Sequence, residues 1–124
     1  MPRSATLVAL LVLLAAASAQ AQYRWMRDTA ARDFTEADWE ILRAETRRTL
    51  EEVDSGVRVD WKNDATGNGG AIKPLMTFEH QGTTCRRVAF LNITSKGRRG
   101  QANYNLCRQE DGSWGFVSDS EVAG

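Results

Sequence analysis

The chain predicts an α+β domain: one N-terminal amphipathic helix packed on an antiparallel sheet of about four to five short strands, with a disulfide-stapled hairpin. Three observations carry this. Apolar residues recur at steps of three and four once, between residues 39 and 53, and afterwards at a step of two. Glycine-rich turn signals punctuate the second half. The only two cysteines stand equidistant from residue 96, inside the turn sequence Lys96-Gly97-Arg98-Arg99-Gly100.

Residues 1–21 precede this domain. After Arg3 the stretch ATLVALLVLLAAASA, residues 5–19, is uncharged and apolar and closes on small side chains. With Ala19-Gln20-Ala21 as the cleavage site, this is the pattern of a secretory signal peptide, and the mature chain is expected to start at Gln22, or at Gln20 if the cut follows Ala19. The run falls short of the roughly 20 residues that span a bilayer, so no transmembrane segment is expected in the mature chain. No cysteine adjoins the cleavage site to carry a lipid. Residues 22–34 lack a clean period and read as an N-terminal arm.

The domain itself is expected over residues 35–118. Thr35 followed by Asp38 forms a capping box, and Phe34 can staple onto Trp39. From Glu36 to about Asp54 one stripe is formed by Trp39, Leu42, Thr46, Leu50 and Val53, against a charged opposite face, and Gly56 supplies the stop. Val57, Val59 and Trp61 then alternate with Arg58 and Asp60 as a half-buried strand. KNDATGNGG is a turn-rich connection. Its glycines lack the Lys-Ser/Thr that a phosphate loop needs. AIKPLMTFEHQG gives a second strand, with Pro74 marking an edge or a bulge. Thr84 to Thr94 and Gln101 to Arg108 make the hairpin, and Asp111-Gly112 turns the chain into a last strand around Trp114 to Val117. Residues 119–124 are left as a tail.

Residues flanking a tight turn pair at a constant index sum, which sets Cys85 opposite Cys107, within reach of a disulfide. In an exported chain that is the expected state of two thiols, and closing the loop stabilises the fold by about 3 kcal/mol. The sole histidine, His80, has no second histidine and no Cys-x-x-Cys pair beside it, so no metal site, catalytic thiol or cofactor is expected. Asp60, Glu79 and His80 could do acid-base work only if gathered around a nucleophile, and no motif supplies one.

DWKNDATGNGGAIKP, then TTCRRVAF, then NLCRQEDGSW resemble, in order and spacing, the C-terminal domain of the bacterial 17-kDa outer-membrane surface antigen family. The resemblance spans roughly Val57 to Val117 and rests on Trp61, Asn63, Gly67, Gly70, Pro74, Cys85, Arg86, Cys107, Arg108, Gly112 and Trp114. It implies a bacterial envelope protein rather than an enzyme. The chain departs from the family's pattern in lacking a lipid-attachment cysteine and a glycine-zipper segment before the domain. Asp64 also stands where a proline is usual. A periplasmic or outer-membrane-associated protein, secreted across the inner membrane, is the expectation.

Charge points to what such a domain could hold. The whole chain has a formal net charge of zero, which argues against nucleic acid as partner. Yet Arg86, Arg87, Lys96, Arg98, Arg99 and Arg108 fall between Cys85 and Gln109, a stretch without one acidic residue. With Trp114, these are the candidate residues for binding an anionic envelope component, lipopolysaccharide or peptidoglycan, or an outer-membrane protein. The competing reading makes them solvated charges that guard a strand edge. A protein-interaction or inhibitor module of the periplasm is the second function class, and a small hydrolase ranks behind both.

Overall fold

The structure, a computed structural model, describes residues 30–124; the expected signal peptide and the arm up to residue 29 lie outside the described residues. A single 3-10 turn, Ala31–Asp33, leads into helix α1, Glu36–Glu52. The helix starts where its cap dictates. Asp38 N–H donates to Thr35 Oγ1 at 3.3 Å, and Thr35 N–H donates to Asp38 Oδ2 at 2.8 Å, closing the capping box. Phe34 meets Trp39 edge-to-face with centroids 5.4 Å apart, which is the expected staple. The buried side is Asp38, Leu42, Thr46, Thr49 and Leu50. Its outer side carries Arg48–Glu45 at 3.0 Å and Arg47–Glu51 at 3.5 Å, exposed pairs that contribute little. Val53 leaves the helix with extended dihedrals, so α1 stops short of Asp54, and Gly56 turns the chain back at φ 90°.

Five antiparallel strands follow as a meander in the order β1-β2-β3-β4-β5: Val59–Lys62, Gly69–His80, Thr83–Ile93, Arg99–Arg108 and Trp114–Val117. The register between β3 and β4 runs from Cys85↔Cys107 to Ile93↔Arg99 without a shift. The cysteines are joined, with S–S 2.04 Å and Cα atoms 4.0 Å apart. Pro74 does mark a bulge: the β2–β3 register shifts between Pro74 and Met76, leaving Leu75 as the extra residue. What reads as a tail is a short helix, α2, Asp119–Ala123, because Ser118 and Glu121 form a second capping box.

Because strand side chains alternate, the register defines two faces. On one, Trp61, Ile72, Val88, Phe90 and Leu106 join Leu42 and Leu50 of α1 and Phe34 in one core. Among the described residues, the helix lies over β1 and β2 and leaves the other face of the sheet open. Close approach of backbones sets Gly70 beyond choice. A Cβ on Gly70 would come within 1.9 Å of the Leu91 carbonyl oxygen, so only glycine fits there.

Candidate functional site

The six hairpin cations do not share a surface. Arg86 is buried on the helix face, where Nε donates to Thr77 Oγ1 at 3.0 Å and NH1 to the carbonyls of Thr49 at 3.2 Å and Leu50 at 2.9 Å. Its NH2 donates to Ser55 Oγ at 3.3 Å. The last turn of α1 contains no basic residue of its own, so Arg86 supplies the cation that the carbonyl end of a helix favours. This takes Arg86 out of the solvent and into the fold. Arg108, also on the helix face, stacks over Trp114 with its guanidinium carbon 5.0 Å from the ring centroid. Lys96 and Arg98 stand at the exposed hairpin turn, Arg98 within 3.4 Å of Asp33 Oδ2. Arg87 and Arg99 face the open side.

That open side is legible as rows of paired residues. At the turn end Lys62, Gly69, Ile93 and Arg99 are in register; next come Asp60, Ala71, Leu91 and Gln101; then Lys73, Ala89 and Asn103; then Met76, Arg87, Asn105 and Val117. Ala71 and Ala89 are short where their neighbours are long. The sheet is therefore hollowed into a shallow trough of ≈ 480 Å³, lined by Arg58, Lys73, Arg87, Leu91, Gln101 and Asn103 around the two alanines. Its cations differ in what already holds them. Arg58 bonds Asp60 at 2.8 Å. Arg87 donates to Asn105 Oδ1 at 3.0 Å and Asp119 Oδ1 at 2.8 Å; these bonds from Arg87, and one from Asn105, hold the Asp119 carboxyl below its ordinary value. Lys73 is exposed. Arg58 and Lys73 precede the Cys-Arg hairpin in sequence and escaped the sequence reading. Only the register, which sets β1 beside β2 and β2 beside β3, reveals them.

The β1–β2 loop serves a structural end. Asp38, fully buried, accepts four hydrogen bonds: Asn63 Nδ2 and Thr66 Oγ1 on Oδ1 at 2.8 and 2.7 Å, Thr35 N–H and Asn68 Nδ2 on Oδ2, both at 2.8 Å. Burial pushes its pKa up, and the bonds from Asn68, Thr66, Thr35 and Asn63 outweigh that and bring it to about 2. Asn68 Oδ1 in turn accepts the Ser95 N–H at 2.9 Å. One carboxylate thus joins the helix start, the β1–β2 loop and the β3–β4 turn. Among the described residues no cluster of three His, Cys, Asp or Glu side chains could hold a metal, and no helix is long and apolar enough to cross a membrane.

A family model described as the 17 kDa outer membrane surface antigen matches residues 48–115. Among curated proteins, the chain is similar to the 17 kDa surface antigen of Rickettsia prowazekii, 34% identical over 84 residues, which are 67% of this chain and 52% of that protein. The antigens of Rickettsia conorii and Rickettsia bellii are 33% and 31% identical over 84 residues, with the same coverage. The chain spans about half the length of the curated relatives it matches. No solved structure matches it.

Proposed function

Since the chain belongs to the 17 kDa outer membrane surface antigen family, we propose that it is a non-enzymatic binding module of the bacterial envelope, periplasmic or outer-membrane-associated, whose open sheet face takes an anionic envelope polymer. One observation carries this reading. In a chain of zero net charge, the open face collects Arg58, Lys62, Lys73, Arg87 and Arg99 against Asp60 and Asp119, around a floor of alanines. Unequal charge over a shallow, small-residue floor favours an extended anionic ligand.

Peptidoglycan suits the trough better than lipopolysaccharide. Gln101 and Asn103 place two amides beside Lys73, a set that can meet carboxylates and N-acetyl groups together. Lipid A would need a recess for acyl chains, and the trough floor is two alanines and a leucine. The volume lies within the range of small-ligand sites, about 300–1,000 Å³.

The test is titration of the mature, oxidised protein with soluble muropeptides and, separately, with lipopolysaccharide. Binding of muropeptides should weaken as salt rises and fall further in Lys73→Ala and Arg58→Ala, with the fold unchanged by circular dichroism. Absence of salt-dependent binding to either material would sink the reading; binding to lipopolysaccharide alone would replace the ligand.

A second reading, a protein-interaction or inhibitor module, draws on the Arg108–Trp114 stack on the helix face, since tryptophan and arginine anchor many interfaces. Arg108→Ala separates the two, because Arg108 does not line the trough.

A further inference from the structure

β2 is much longer than the strand beside it. β1 pairs only with Gly69–Ile72, and the Gly56 N–H then takes the Pro74 carbonyl at 2.7 Å. From Leu75 to His80, β2 has β3 on one side and, among the described residues, no strand on the other.

The direction of the backbone groups along this edge follows from the register. Cys85 and Cys107, with Cα atoms 4.0 Å apart, form the close, non-hydrogen-bonded kind of pair, so the Cys85 backbone turns toward β2 and its partner Phe78. Thr77 and Glu79 therefore turn their N–H and C=O outward. Pro74 agrees with this phase: its carbonyl reaches the outer side, and its missing N–H lies there too.

Apolar surface gathers at the same place. Of the four exposed large hydrophobic residues among the described residues, Leu75 (39%) and Met76 (50%) lie on this edge, and Val57 (51%) adjoins Gly56, which bonds Pro74. A bare edge with apolar side chains is a pairing template.

We propose that this edge pairs with the same edge of a second copy, antiparallel, about a twofold axis at Phe78. In that register Thr77 faces Glu79 of the second copy and Glu79 faces its Thr77, so all four outward groups on each side find partners. Phe78 faces itself on the open side, flanked by Met76 opposite His80. Leu75 meets the tip of the second copy's β2–β3 turn.

Charge complementarity favours a second copy as the occupant. Among the described residues, the buried Arg86 has neutral acceptors alone, Thr77, Thr49, Leu50 and Ser55. It lies beside Thr77 in the same row. Pairing sets the second copy's Glu79 next to Thr77, bringing a carboxylate toward that guanidinium. No like charges oppose one another. Pro74 and the bulge end the pairing, and the twofold closes it at two copies rather than a filament. The two sheets then form one surface with both troughs on the same side.

Sedimentation velocity on the mature, oxidised protein from about 1 to about 500 μM should show a monomer giving way to a dimer with concentration. Amide exchange at Thr77 and Glu79 should slow at least tenfold in the dimer. Glu79→Pro removes one outward N–H and Met76→Lys adds a charge at a half-exposed position; both should stay monomeric. If Glu79→Pro fails to fold, Met76→Lys decides. A wild type that remains monomeric throughout, a dimer that persists in the variants, or unchanged exchange at the two amides would overturn the proposal.

Discussion

Replacing Asp38 by Asn changes one atom of the side chain and should disable the joint at which three segments meet. Both carboxylate oxygens each accept two bonds in the native fold. An amide offers one acceptor and turns an NH2 toward two existing donors, so two of the four bonds are lost in a site with no water access. Hydrogen bonds to a charged group contribute about 1.5–3 kcal/mol each, and partial rearrangement lowers the sum, so a loss of about 3 kcal/mol is expected.

The pH dependence gives an independent magnitude. The folded pKa is lowered from the ordinary 3.8 to about 2. A depressed folded pKa means stability that is present above the unfolded value and lost as pH falls through the folded one. The window is thus pH 4 down to 2, and a shift of this size corresponds to about 2 kcal/mol. Urea denaturation of wild type and Asp38→Asn at pH 7 and in steps down to pH 2 measures both. The difference between the two proteins should shrink by about 2 kcal/mol across that window. Equal stability at pH 7, or a difference independent of pH, would refute the view that an ionised Asp38 holds the joint.

Three further outcomes follow from the packing. The oxidised protein should titrate no free thiol, and Cys85→Ser should destabilise it by about 3 kcal/mol in chemical denaturation, since the bridge spans a sequence separation of 22. Gly70→Ala forces a Cβ against the Leu91 carbonyl and should leave little folded protein by circular dichroism, whereas alanine at Gly97, whose Cβ meets nothing within 4 Å but whose φ is 83°, should cost only about 1 kcal/mol. Arg86→Ala should lower stability by about 3 kcal/mol, and Arg86→Lys should restore only part of it in the same melts, because one ammonium cannot span Thr77, the helix carbonyls and Ser55.

The elements and the staple were legible because each depends on neighbours in the chain. A capping box needs Thr35 and Asp38, a helix stripe needs residues three and four apart, and a hairpin with even spacing about Lys96 places Cys85 on Cys107 from index arithmetic alone. The C-terminal helix was hidden because its cap, Ser118 with Glu121, lies in five residues too short to show a period. The candidate binding side was legible only in part. Arg86 and Arg87 are adjacent and identical in type, yet strand alternation sends one under the helix and the other onto the open face, and nothing local says which way the sheet turns its buried side. That choice was made by α1, whose apolar stripe covers one face of β1 and β2. In the same way Asp38 reads as a helix cap, and only folding brings Asn63, Thr66 and Asn68 to its second oxygen and beyond. Amino-acid order determined the strands, their turns and the disulfide, since those follow from local geometry. Which cations meet in a trough, and which one is spent holding a helix end, were decided by the long-range packing of helix on sheet.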